Sequence, residues 1–175
     1  MYNAVVNLRE AAIILVGHGQ LPKDMPKEIQ NRYLRLLHMH KRSPEEEREL
    51  DELTRTVFSW PRNEENDPYW FSMHRLGMML GEQLGCKDVV VSFNEFCPPS
   101  FDEALENLCK KGLPVIVLTT MLTPGGIHSE EEIPAIIEMK RKKYGNTIFY
   151  LWPIELEELV DFYVRIVKAR VQRLD

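Results

Sequence analysis

Residues 11–20, AAIILVGHGQ, and residues 115–134, VIVLTTMLTPGGIHSEEEIP, decide the fold. In each, a continuous run of apolar and β-branched residues stops at a glycine-bearing turn that carries a histidine, His18 or His128. A run without polar alternation reads as a strand buried on both faces, the habit of parallel sheets covered by helices. In open α/β sheets ligands bind outside the carboxyl ends of the strands, where the following helices point their N-termini at the crevice. Two imidazoles delivered to that edge indicate a metal or proton-transfer site.

Outward from these stretches the chain alternates strand and helix. Strands are expected at 11–16, 88–93, 114–120 and 147–152, with helical patterns at 68–84, 100–111, 129–143 and 155–172. That alternation implies an α/β fold, a four-stranded parallel sheet joined by right-handed crossovers with helices on both faces, in three layers. Residues 22–67 hold more helix than one crossover requires. Pro26 opens one helix expected to reach Arg42, and Ser43, Pro44 and Glu46 combine a capping box with proline at the first position of a second, running to about Phe58. The segment WPRNEENDP, 60–68, reads as a polar loop. Residues 22–67 are therefore expected to be a helical hairpin inserted near the active edge, as a lid or an oligomer contact, within one domain spanning 1–175.

Composition narrows the function classes. An apolar fraction of 44% with 28% charged residues is that of a globular protein, and a net charge of −5 argues against a general nucleic-acid binder. Cys86, Cys97 and Cys109 are odd in number and lack C-x-x-C spacing, so neither a disulfide framework nor a zinc knuckle is indicated. A cytoplasmic location is expected, with no membrane partner, because no apolar run approaches the roughly 18–20 residues of a span.

Three motifs carry chemistry at the strand ends. In Val16-Gly17-His18-Gly19-Gln20 the glycines let the backbone turn sharply beside the imidazole. In SFNEFCPPSFDEAL, 92–105, Glu95 ends an otherwise apolar run and needs a partner there: a cation, a metal or a substrate N–H, or else a salt bridge or turn hydrogen bond. Ser100 with Glu103 reads as a capping box rather than a nucleophile, and Cys97 as a buried thiol. In TPGGIHSEEEIP, 123–134, Ser129 with Glu132 reads as another capping box, Glu130 and Glu131 suit the helix dipole, and His128 has no such structural duty. His38 and His40, two apart on a helix, cannot chelate one ion together and are assigned to solvent or a helix interface. His74 and Arg75 read as surface before contacts to an anionic substrate, Met73, Met78 and Met79 as core filling, and Trp60, Tyr69, Trp70 and Phe71 either as packing of the hairpin on the domain or as a stacking surface for a flat ligand.

With these residues laid out, the chain resembles the small class II tetrapyrrole chelatases, the sirohydrochlorin cobaltochelatase and ferrochelatase family. The likeness rests on Gly17-His18-Gly19 after the first strand, F-N-E-F-x-x-P-S with Glu95 after the second, and G-I-H-x-x-x-x-I-P with His128, Ile133 and Pro134 after the third, over roughly 11–22 and 68–172. It implies a half-domain of a chelatase that pairs as a homodimer and places a divalent ion, Co²⁺, Fe²⁺ or Ni²⁺, in a tetrapyrrole, the ion being substrate and no organic cofactor being needed. The two departures are the segment 22–67 and Gln20, where serine is usual. The chemistry is coherent without the family: neutral imidazoles suit borderline ions and accept protons near neutral pH, so His18 and His128 are expected to bind the ion and act as bases, with Glu95 completing the site or shuttling protons. Arg62, Arg75 or backbone N–H groups near Ser129 are candidate contacts for substrate carboxylates. Two other readings stand beside it. One is a metal or tetrapyrrole carrier; the other is a histidine-dependent phosphatase, weakened because no arginine adjoins His18.

Overall fold

A computed structural model describes residues 6–171. The chain runs β1 (Ala12–Gly17), α1 (Lys27–Leu37), α2 (Pro44–Ser59), α3 (Pro68–Leu84), β2 (Asp88–Phe93), α4 (Phe101–Lys110), β3 (Val115–Thr119), a wide π turn (His128–Glu132) that continues into α5 (Ile133–Tyr144), β4 (Ile148–Tyr150) and α6 (Leu156–Val171). Residue 172, the expected end of the last helix, lies outside the described residues.

All strand pairs are parallel, in the order β2-β1-β3-β4. Every residue of β1 is buried, as its unbroken apolar run requires. Alternation divides the inward side chains between two faces. Ala12, Ile14, Val16, Val115 and Val117 pack with Phe101 and Leu105 of α4 and Ile133 and Ile137 of α5. Leu15, Val91 and Phe93 face the other way, onto Tyr33 and Leu36 of α1, Leu50 and Val57 of α2 and Met73 of α3. A smaller cluster of Ile13, Ile116, Phe149 and Cys86 extends this second face. Three layers result, with α1–α3 on one side of the sheet and α4 and α5 on the other.

The strand order places the site. The chain leaves β1 to form β2 on one side and β3 on the other, so the crevice opens at the carboxyl ends of β1 and β3. Beyond β1 and β2 the ladder continues for two more bonds, Asn94 N–H to the Gly17 carbonyl at 2.9 Å and Glu95 N–H to the His18 carbonyl at 2.8 Å.

Several local expectations need correction. The helix expected from Pro26 to Arg42 stops at Leu37. Arg42 folds back and its Nη1 donates to the carbonyls of Leu36 (2.8 Å) and Met39 (2.7 Å), taking the acceptors that a longer helix would have used. The Ser43–Glu46 capping box forms in full. At α4 only half of one does: Ser100 accepts from Glu103 N–H at 3.3 Å. Ser129 caps nothing; it is buried within the π turn and its hydroxyl donates to the Gly126 carbonyl. Met73 is buried, but Met78 and Met79 are 60% and 51% exposed.

Candidate metal centre

His18 is the first residue past β1, and its backbone is held on both sides. Its N–H donates to the Tyr69 hydroxyl at 3.1 Å, and its carbonyl receives the Glu95 N–H. Its Nδ1 lies 3.0 Å from the Gly19 carbonyl. A carbonyl can only accept, so Nδ1 carries the hydrogen and Nε2 presents its lone pair. That Nε2 is 3.8 Å from Glu95 Oε2.

Glycine at 19 is a requirement of this approach. Its φ is +101°, and a Cβ there would sit 1.8 Å from the Glu95 carbonyl oxygen. The Glu95 loop itself turns tightly, with Phe96 at φ 62° and Cys97 N–H bonded back to the Glu95 carbonyl at 2.7 Å, a γ turn. Phe96 lies against the His18 ring at 5.9 Å between centroids, and Tyr33 of α1 packs edge-on against Phe96 at 6.2 Å. Burial pushes the Tyr33 phenol up, hydrogen bonding with Thr54 opposes it, and the charge of Glu95 adds to it.

His128 opens the π turn, whose extra residue per turn widens the backbone. Its Nδ1 is 2.8 Å from Glu132 Oε2, and the same oxygen accepts from Asn94 Nδ2 at 2.6 Å. Asn94 Nδ2 also lies 2.6 Å from His128 Nδ1; in the tautomer with the hydrogen on Nδ1 the carboxylate takes it and the lone pair is left on Nε2, as a carboxylate does behind a metal-bound histidine. Burial pushes the Glu132 carboxyl up, but the hydrogen bonds of His128 and Asn94 and the charges of His128 and His18 outweigh it and hold the group below its ordinary value. The His18 and His128 rings meet edge-on with centroids 4.9 Å apart.

One ligand atom from each of His18, Glu95 and His128 falls within 4.8 Å of the others. Ligands about 2.1 Å from a tetrahedral ion stand roughly 3.4 Å apart, so closing on an ion takes side-chain rotations of about an ångström. The His18 side chain is 45% exposed, so the site is open on one side and a flat molecule can reach it. Asn94 and Glu132 were not singled out as site residues in the sequence; the i, i+4 spacing from His128 to Glu132 was the available signal, read instead as part of a helix cap.

The other candidates lie elsewhere. Arg62 is no surface cation: its side chain is 5% exposed, paired with the fully buried Asp67 and bonded to the carbonyls of Gln20 (3.2 Å) and Phe96 (2.7 Å). It ties the loop after β1 to the loop after β2 from beneath. Arg75 is exposed on α3, and His74 stacks on Trp70 with centroids 3.7 Å apart. His38 and His40 are exposed at the end of α1. Cys97 is buried, its thiol pushed up to about 11 chiefly by burial, in keeping with a structural thiol. Near Ser129, Gly125 N–H is taken by the Glu130 carboxylate at 2.6 Å.

No curated protein sequence matches the chain. Among solved structures it is similar to a Marinobacter aquaeolei VT8 protein described as putative CbiX of cobalamin (vitamin B12) biosynthesis, at 18% identity and TM-score 0.53, over 93% of this chain and 96% of that one. It is also similar to the sirohydrochlorin chelatase SirB from Bacillus subtilis subspecies spizizenii in complex with cobalt, at 20% identity and TM-score 0.42, over 91% of this chain and 50% of that one. SirB from Bacillus subtilis with Fe³⁺ aligns at 20% identity and TM-score 0.41, over 92% of this chain and 48% of that one. The chain thus spans about half the length of the two SirB chains. At these identities the likeness to the Marinobacter structure speaks for the shared α/β fold. The CbiX family model covers residues 68–174, from α3 through the loops that carry Glu95 and His128, and by that match over more than half its length the chain belongs to the CbiX family.

Proposed function

We propose that the protein is a class II chelatase that places a divalent metal ion in sirohydrochlorin or a related tetrapyrrole, with His18, Glu95 and His128 as the groups that hold the incoming ion. Membership of the CbiX family supports the chelatase reading. The observation that carries the residue roles is the meeting of three ligand atoms, within 4.8 Å, at the switch point of the sheet.

Metal insertion brings an ion to the macrocycle face, removes two pyrrole N–H protons and releases a flat product. Two imidazoles and one carboxylate suit Co²⁺, Fe²⁺ or Ni²⁺ and leave the coordination sphere incomplete, which lets the ion pass on to four pyrrole nitrogens. With a hydrogen on each Nδ1, held by the Gly19 carbonyl at His18 and by Glu132 at His128, each histidine offers Nε2 to metal or proton. Once the ion has moved into the ring, the freed nitrogens accept the pyrrole protons. Glu132 stabilises the imidazolium that forms at His128, and Glu95, 3.8 Å from His18, stabilises the other.

The test is to mix the purified protein with sirohydrochlorin and Co²⁺, Fe²⁺ or Ni²⁺ and follow the macrocycle absorbance. His18→Ala and His128→Ala should each abolish insertion and leave the fold intact. Retained turnover in both single variants overturns the residue roles. Tight one-to-one product binding without further turnover moves the protein to the carrier reading. A phosphatase gains nothing from this geometry, since Arg62, the cation beneath the His18 loop, is already paired with Asp67.

A further inference from the structure

Behind the metal centre His128 Nδ1, Asn94 Nδ2 and Glu132 Oε2 form a closed triangle. Its sides are 2.6 Å from Asn94 to His128, 2.6 Å from Asn94 to Glu132 and 2.8 Å from His128 to Glu132. The amide nitrogen, not the amide oxygen, faces the other two groups. Turned over, the amide would set its oxygen 2.6 Å from a carboxylate oxygen, acceptor against acceptor with no hydrogen between. An amide nitrogen only donates and an ionised carboxylate only accepts, so the group able to do either is the imidazole.

The two contacts of His128 Nδ1 ask for different tautomers. The 2.8 Å contact with Glu132 needs the hydrogen on Nδ1 and leaves the Nε2 lone pair to an ion. The 2.6 Å contact with Asn94 needs the lone pair on Nδ1, so the hydrogen sits on Nε2 and that nitrogen refuses an ion. Charge and hydrogen count are equal in both forms, since the ring loses one N–H and gains the other. In either form Asn94 has a hydrogen left for Glu132. Each form therefore satisfies two sides of the triangle and leaves the third repulsive, which balances one against the other. Asn94 follows β2, while His128 and Glu132 follow β3, so a single amide links the two loops that carry Glu95 and His128.

We propose that Asn94 is a positioning residue that draws His128 toward the ion-refusing tautomer, so that Glu132 and Asn94 divide the imidazole between a loading and a releasing form. This rests on the reading of His128 as an ion-holding group. Only the fraction in the loading form binds, so Asn94 lowers the apparent affinity by that fraction. Two measurements read it: nitrogen NMR of the neutral imidazole in the ion-free protein, and calorimetric titration with Co²⁺. The wild type should give His128 shifts averaged between the two tautomers. Asn94→Leu should move them to the Nδ1–H form and tighten Co²⁺ binding about twofold, the gain for forms of about equal population. In Glu132→Ala, Asn94 is the partner left to Nδ1, and adding Asn94→Leu should recover about fivefold in affinity, the worth of one hydrogen bond. A residue that merely braced the loop would give the opposite sign, because its loss only loosens the centre. A wild-type His128 wholly in the Nδ1–H form, or an Asn94→Leu change that weakens Co²⁺ binding in both backgrounds, would overturn the proposal. Wild-type Co²⁺ binding in His128→Ala would overturn the ion-holding reading instead, while the NMR of the ion-free protein still decides whether Asn94 sets the tautomer.

Discussion

Gly19→Ala isolates the contact on which the centre depends. The φ of +101° costs an L-residue about 1–2 kcal/mol wherever it occurs. The new methyl would also stand 1.8 Å from the Glu95 carbonyl oxygen, which is backbone and cannot swing aside. Relieving it to ordinary contact moves the Glu95 loop by more than an ångström and breaks the 2.8 Å bond from Glu95 N–H to the His18 carbonyl, a further loss of about 1 kcal/mol. With residual strain the total is about 3–4 kcal/mol, or about 10 °C in Tm for a chain of this size. Gly112→Ala is the control. Gly112 has φ +73° with nothing within 4 Å of the added Cβ, so it should lose only the conformational part, about 1–2 kcal/mol. Thermal unfolding with a Co²⁺ titration reads both: Gly19→Ala should lose stability and at least about tenfold in Co²⁺ affinity, Gly112→Ala stability alone. Equal Tm losses with wild-type Co²⁺ binding in Gly19→Ala would refute the dependence of the centre on this close approach.

Glu132→Ala removes the acceptor behind His128 Nδ1; because the Glu132 side chain is 45% exposed, Tm should barely change while Co²⁺ affinity, read by calorimetry, falls about 10- to 100-fold, and unchanged affinity would deny Glu132 a role in orienting His128. Arg62→Met leaves the fully buried Asp67 carboxylate without its cation and should cost about 3–5 kcal/mol by denaturant unfolding; a loss under about 1 kcal/mol would mean that the pair is replaceable. Burial pushes the Cys97 thiol up to about 11, so at pH 8 only about one molecule in a thousand carries the thiolate. Alkylation of Cys97, followed by peptide mass, should therefore be slow in the native protein and fast in denaturant, whereas rapid native labelling would contradict its burial.

Where punctuation is local, the elements read straight from the residues. β2 and α3 fall on their expected bounds, 88–93 and 68–84, because Asp67 and Pro68 open the helix and Gly85, in the left-handed region, closes it. The end of α1 was illegible because Arg42 reaches back to its last carbonyls from beyond the helix. Glu132 was misassigned for a related reason. Ser129 and Glu132 have the spacing of a capping box, but the π turn changes which residues share a side, and the carboxylate turns to His128 and Asn94 instead. Asn94 itself carried no pattern at all, since its partner arrives from 38 residues away. The exposure of Met78 and Met79 was equally hidden, because apolar composition alone does not say which surface a residue meets.

The segment between β1 and α3 supports the centre from below rather than covering it. Tyr33, Leu36, Leu50 and Val57 are buried against Phe93, Phe96 and Cys97, so α1 and α2 form the floor on which the Glu95 loop rests. At the segment's exit Arg62 holds the carbonyls of Gln20 and Phe96 together, and Cys97 Sγ accepts the Gln20 N–H at 3.3 Å. These bonds fix the residues that follow His18 and Glu95, while the imidazole and carboxylate stay free to rotate onto an ion. A lid would have to swing on these same contacts, and each opening would break a buried ion pair and bare an apolar floor, several kcal/mol of loss. Small side-chain rotations are therefore the cheaper adjustment at the centre. That would suit the proposed function, in which the site closes by about an ångström on a small ion and then lets it go.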